Sequence, residues 1–167
     1  MTPFDFSQIC NGSDIEAATH RVFDQAYVKW INEGPEALTI GELTVYCVET
    51  TFGEVCNGGI GQYLDNESGQ LAKYCPPALR RVGLIDYARL MHDAIQRCQC
   101  AIVEGTMHDN NDPRSPWIEW TPVTGNEDDL FDDLEKRFFE LYFADKEEFR
   151  RKLFQYITEH ESEFCDS

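Results

Sequence analysis

Basic residues are scarce in this chain. Only 14 Lys and Arg stand against 31 Asp and Glu, which leaves a formal charge of −17 over 167 residues. Nucleic acid and anionic membrane surfaces would be repelled, so the charge favours basic proteins or cations as partners. Long apolar runs are missing too: no stretch reaches the ~18 apolar residues of a transmembrane helix. Met1 to Gln8 holds neither the basic nor the apolar region of a secretory leader. Cysteine is present, but Cys10, Cys47, Cys56, Cys75, Cys98, Cys100 and Cys165 are scattered and odd in number. Without a leader, that pattern reads as reduced, mostly buried thiols of the cytoplasm rather than a disulfide framework.

Signatures of chemistry are equally sparse. Gly58-Gly59-Ile60-Gly61 is not G-x-G-x-x-G, and no Gly-Lys-Ser/Thr follows it. The nearest charges, Glu54, Asp65 and Glu67, would repel a phosphate. His20, His92, His108 and His160 lie far apart and in no catalytic signature, so the chain does not read as an enzyme. Cys98-x-Cys100 with His92 and His108 is the best metal-ligand set. It lacks a second paired motif and Cys98 falls in an apolar stripe, so neither metal nor cofactor is expected. Asp109 and Asp112 do not match a calcium loop.

What is present is a folding chain. Apolar residues make up 42% and aromatics 13%, enough for one domain over residues 1–167 with a real core. Its hub is the glycine corner Gly58, Gly59 and Gly61, where Asn57-Gly58 reads as a helix C-cap. At least one of these glycines is expected at positive φ, fixing the angle between two helices.

Before the corner, Ser13-x-x-Glu16 forms a capping box. Ile15, Ala18, Val22, Ala26 and Trp30 then recur at helical spacing until Gly34-Pro35. A second helix starts at Pro35 or Thr39 and runs to Cys56. Its Thr44, Val45, Val48, Thr50 and Thr51 would suit a strand, but its length decides for helix.

After the corner, Asn66 or Ser68 opens a third helix, restarted or kinked at Pro76-Pro77 and capped at Gly83. Leu84, Ala88, Met91, Ile95, Cys98 and Ile102 give an amphipathic pattern that ends at Gly105. Thr106 to Gly125, with Pro113, Pro116 and Pro122, is a long irregular loop. Within it, Trp117 and Trp120 either pin the loop to the helices or meet a partner. Asn126 caps a helix striped by Leu130, Leu134, Phe138 and Leu141. Asp145-x-x-Glu148 starts the last one, with Phe149, Leu153 and Tyr156 or Ile157 inward. The sum is an all-α domain of about six or seven helices with one long irregular loop.

Charge is densest near the C-terminus, where eleven acidic and three basic residues lie between Glu119 and Glu148. At about 100° per residue, Asp129, Asp132, Asp133 and Glu140 fall opposite the Leu130/Leu134/Phe138/Leu141 stripe. Glu127 to Asp129, Asp128 included, also suit the positive end of that helix. Two readings compete here. One is the solvated face of any soluble helix. The other is a row of carboxylates that stands in for DNA phosphates, since successive turns repeat at about 5.4 Å and phosphates at roughly 3.4 Å of rise per strand.

One longer pattern adds to this. Glu54-x-x-Asn57-Gly58-Gly59-Ile60-x-Gln62-Tyr63-Leu64-x-Asn66-x-Ser68-Gly69 resembles the signature of a family of small bacterial domains of unknown function. Ala78-Leu79-x-x-Val82-Gly83, Ala94-Ile95, Phe131 to Phe139 and Tyr156-Ile157-x-x-His160 resemble it as well, over roughly Thr39 to Phe164. That family includes an acidic, DMP-type DNA-mimic protein that binds a transcription factor in place of operator DNA. The resemblance implies an all-helical fold, a homodimer and a DNA-binding protein as partner, with no catalytic residues to carry over. Fold transfers more safely than function across such a family. The leading expectation is a double-stranded-DNA mimic that blocks a transcriptional regulator, with Asp128, Asp129, Asp132, Asp133 and Glu140 as candidate phosphate surrogates. The rival is an immunity-type module that neutralises a basic toxin.

Overall fold

The computed structural model describes residues 15–97, 101–102, 118–119 and 130–165. Within them the fold is all-α, with a single two-residue strand pair beside the helices. Helices α1 (Ile15–Glu33), α2 (Ile40–Asp65), α3 (Cys75–Arg81), α4 (Ile85–Arg97), α5 (Asp132–Ala144) and α6 (Glu148–Glu159) follow in order. Short 3-10 turns at Pro35–Ala37, Glu67–Tyr74 and Glu161–Phe164 join or end them. The expected caps Ser13 and Asn126, and Trp117 and Trp120, lie outside the described residues.

Helix α2 is the axis of the molecule. It is buried on every side from Gly41 to Val48, which explains why its sequence shows no clean amphipathic stripe. Its β-branched residues sit in the helix despite their strand preference, with Thr44 Oγ1 donating to the Ile40 carbonyl (2.8 Å). Thr39 opens α2 with a capping box: Glu42 N donates to Thr39 Oγ1 (3.2 Å) and Thr39 N to Glu42 Oε2 (2.9 Å). The same Glu42 carboxylate, almost wholly buried, accepts Lys29 Nζ from α1 at 2.9 Å. One side chain thus starts a helix and ties its neighbour to it.

At the far end the first half of α2 runs two residues past the expected Cys56, to a break at Gly59 (φ 84°, ψ 176°), and a second half continues to Asp65. Positive φ at the glycine corner is borne out, at Gly59. Downstream, Pro76 and Pro77 occupy the first positions of α3, where no intrahelical N–H is needed. Gly83 (φ 80°) closes α3 as expected, with Gly83 N bonded to Arg80 O (3.0 Å) and Leu84 N to Leu79 O (2.8 Å).

The core gathers around Phe52 of α2. Phe149 of α6 stacks on it at 4.1 Å, Tyr87 of α4 meets it edge-on at 4.9 Å, and Phe138 of α5 packs at 5.4 Å. Four helices therefore converge on one aromatic cluster, each ring pair adding specific geometry to the area it buries. Phe149, Leu153, Tyr156 and Ile157 are all buried, as the α6 periodicity predicts.

Two expectations are corrected at element ends. The amphipathic pattern from Leu84 continues in sequence to Ile102, but α4 ends at Arg97, and Ala101–Ile102 pairs antiparallel with Ile118–Glu119. Apolar spacing alone does not separate one further helical turn from a short strand. Asp145 does not open α6; it ends α5, and its Oδ1 accepts Glu147 N (3.2 Å) just before α6 begins at Glu148.

Candidate functional site

The glycine corner carries a carboxylate of the chain itself. Past Gly59 the second half of α2 starts afresh, and its first N–H groups lack intrahelical partners. Glu135 of α5 fills them: Ile60 N donates to Glu135 Oε1 at 2.6 Å and Gly61 N at 3.4 Å. A Cβ on Gly59 would stand 2.5 Å from that same oxygen. Only glycine both takes the turn and lets Glu135 in, so the corner is a latch between α2 and α5. The backbone donors of the glycine corner are used inside the fold.

Helix α5 presents the acidic face. Leu134 and Phe138 are buried, Leu130 and Leu141 partly so, and Asp132, Asp133 and Glu140 are exposed on the other side. Both aspartates lie in the first turn, where the helix dipole favours them. Lys136 and Arg137, also exposed, fall in the same rows, one turn from Asp132 and Asp133. The outer face is therefore mixed in charge rather than a pure carboxylate row. Asp128 and Asp129 lie outside the described residues.

Asp133 has a structural task as well. Arg97, in the last turn of α4, grips it with both ends of its fork, Nη1 to Oδ1 at 2.5 Å and Nη2 to Oδ2 at 2.8 Å. The same Nη1 donates to Leu130 O at 2.9 Å. Hydrogen bonding by Arg97 holds the Asp133 carboxyl down at about 2, well below its ordinary value of 3.8. Sequence reasoning missed this pair, as it missed Glu135. Their partners lie 36 and 75 residues away, and no local pattern signals them. Glu42 did carry a signal, the Thr39-x-x-Glu42 capping-box spacing.

The C-terminal turn forms a second polar knot. Glu163 accepts from Tyr156 Oη (2.5 Å) and from Arg81 of α3. Burial pushes the Glu163 carboxyl up, and these two hydrogen bonds more than reverse it. Such internal carboxylates contrast with Asp24, Glu33, Asp65, Asp93, Asp132 and Glu140. Those six are exposed and form no ion pair among the described residues.

No group of three His, Cys, Asp or Glu among the described residues is arranged to hold a metal ion. The Cys98, Cys100 and His108 set lies outside them. Cys47, Cys56, Cys75 and Cys165 are free thiols. Among the described residues no helix is long and apolar enough to cross a membrane.

No curated protein and no solved structure matches the chain. A family model does, over residues 36–160, which is about three quarters of the sequence. The match takes in the α2 corner, the α3 cap, the α4–α5 contact and α6, the elements whose mutual latches have just been described. The chain belongs to the DMP19-like protein family.

Proposed function

We propose that this protein is a double-stranded-DNA mimic, binding a DNA-binding protein, a transcriptional regulator in the first instance, on the surface that would otherwise hold DNA. The observation that carries the reading is the set of exposed carboxylates on α1, α2, α4 and α5 that form no ion pair among the described residues, fixed to a helical frame. Family membership supports it, because the family includes an acidic DNA mimic. Charge displayed on rigid helices needs no reorganisation to meet a phosphate-binding surface, which favours rapid, salt-sensitive association. The role requires no catalytic step and no cofactor. A cytoplasmic homodimer is part of the proposal.

The α5 face alone is a weak mimic because Lys136 and Arg137 interrupt it, and the contact surface extends beyond it to Asp24, Asp65 and Asp93. The test is capture of partners from the native host's lysate by the full chain, with elution in rising salt. Competition against labelled duplex DNA on the captured regulator then follows. Displacement of DNA that fades with salt is the expected result. Capture of a basic protein that this chain never displaces from DNA would move the toxin-neutralising reading ahead.

A further inference from the structure

Between α1 and α2 runs a groove of about 870 Å³ that the acidic outer surface does not explain. Its walls are aromatic: Tyr27 and Trp30 from α1, and Tyr46 from α2. Trp30 and Tyr46 lie 5.4 Å apart between ring centroids, and Tyr27 and Tyr46 lie 6.2 Å apart. Tyr27 remains 45% exposed and Ile31, one turn on, 60% exposed, so this apolar edge faces solvent. Large exposed aromatic and aliphatic side chains grouped along a groove mark a contact surface more often than isolated ones do.

The groove also carries negative charge. Glu49 and Glu54, both half-buried, line it from α2, and Asn66 holds Glu54 in place through a 3.0 Å hydrogen bond. Burial raises the Glu49 carboxyl above its ordinary range, although His20 and Arg150 pull it down. Thr50 and Ser68 also line the groove, but their hydroxyl oxygens are shut off from its open space. An occupant that offers several N–H donors to the two carboxylates and a flat cationic face to the rings fits these features. Guanidinium does so better than ammonium, having five donors in a plane, weaker hydration and a stacking face.

We propose that this groove seats an arginine side chain of the basic protein partner. Tyr27, Trp30 and Tyr46 flank its guanidinium, and the Glu49 and Glu54 carboxylates balance its charge and accept its N–H groups. The inference rests on the reading of the partner as a basic DNA-binding protein and names one contact within it. A second copy of this chain is the poorer occupant, because carboxylates line the groove and the chain carries −17 overall.

The probe is a labelled glycine-flanked arginine peptide, compared with the same peptide carrying citrulline, which keeps the shape and removes the charge. The full chain should bind the arginine form measurably tighter. Tyr27→Ala should weaken binding about fivefold, the scale of a partly exposed cation–π contact. Glu49→Gln with Glu54→Gln should weaken it about tenfold or more, the scale of charge-assisted hydrogen bonds. Glu159→Gln with Glu161→Gln, exposed and outside the groove, should leave it within about twofold, since screening blunts exposed charges that do not touch the occupant. Thermal melts confirm that each variant is folded; Glu49→Gln removes a carboxyl that burial disfavours and should melt no lower than the parent.

Equal binding of the two peptides, or unchanged affinity in the Tyr27 and Glu49/Glu54 variants, would overturn the groove assignment. So would groove variants that dissolve a dimer of the chain while peptide binding stays absent. Failure of the parent to displace DNA from any regulator would remove the mimic reading instead, and the peptide comparison would still decide the groove.

Discussion

Gly59 is the residue with the least room for change. At φ 84° and ψ 176° it occupies backbone space that side chains essentially never enter, at a cost of about 1–3 kcal/mol for any other residue. Gly59→Val should lower stability by at least that amount, because its Cβ would also push Glu135 off Ile60 N. Glu135→Ala should reproduce part of the loss, about 1–3 kcal/mol for a donor left unsatisfied. Urea denaturation of the two single variants and the double variant tests this. If the latch is real the losses are sub-additive, and strictly additive values would mean that Gly59 and Glu135 act independently.

The Lys29–Glu42 pair makes a second residue-scale case. Both side chains are buried, and Glu42 is also half of the α2 capping box. Lys29→Met strands a carboxylate in the interior and should cost about 3–5 kcal/mol, the scale of breaking one side of a buried pair. Adding Glu42→Gln removes the stranded charge and should recover part of the loss. Thermal melts of the single and double variants supply the comparison; a double variant less stable than Lys29→Met alone would show that the cap, not the ion pair, dominates.

At the scale of elements, α5 is held by three separate devices: the aromatic cluster at Phe138, the Glu135 latch and the Arg97–Asp133 fork. The last of these is sensitive to pH. The Asp133 carboxyl sits at about 2 in the folded chain against 3.8 ordinarily. Its contribution is therefore complete above pH ~4 and is lost as pH falls toward 2. Glu163, also lowered, adds loss in the same direction below its ordinary value of 4.5. Arg97→Gln should flatten the Asp133 part of the decline in melting temperature between pH 4 and pH 2. A variant whose acid profile overlays that of the parent would show that the fork contributes nothing to stability. It follows that Asp133→Asn is not a neutral probe of the acidic face, although exposure alone would make it one.

For the whole molecule the governing quantity is the imbalance of 31 acidic and 14 basic residues. Replacing Asp24, Asp65, Asp93, Asp132 and Glu140 by their amides removes five charges that support no described ion pair. The melting temperature should hold or rise as self-repulsion falls. Affinity for the captured basic partner should drop, and its dependence on salt should become shallower. Binding measured from about 50 to 300 mM salt is the check; a parallel salt slope at full affinity would place the contact on other residues.

The sequence by itself determined the all-α class, the helix over Ile15 to Glu33, the positive-φ turn at the glycine corner, the α3 cap at Gly83 and the inward face of α6. Each follows from spacing, glycine or proline within a few residues, and local rules act over that range. Motif similarity was legible too, because the Asn57-Gly58-Gly59 signature serves a turn that few sequences can make. Tertiary structure alone decided the rest. That α2 runs on to Asp65 depends on Glu135 satisfying the N–H groups beyond Gly59 from 75 residues away. That Asp133 is an anchor while Asp132 and Glu140 form no ion pair among the described residues depends on where Arg97 emerges from α4. The aromatic groove joins residues of two helices whose order in the chain says nothing of their facing sides. Which carboxylate holds the fold and which faces a partner is a matter of distance through space, and composition carries no distances.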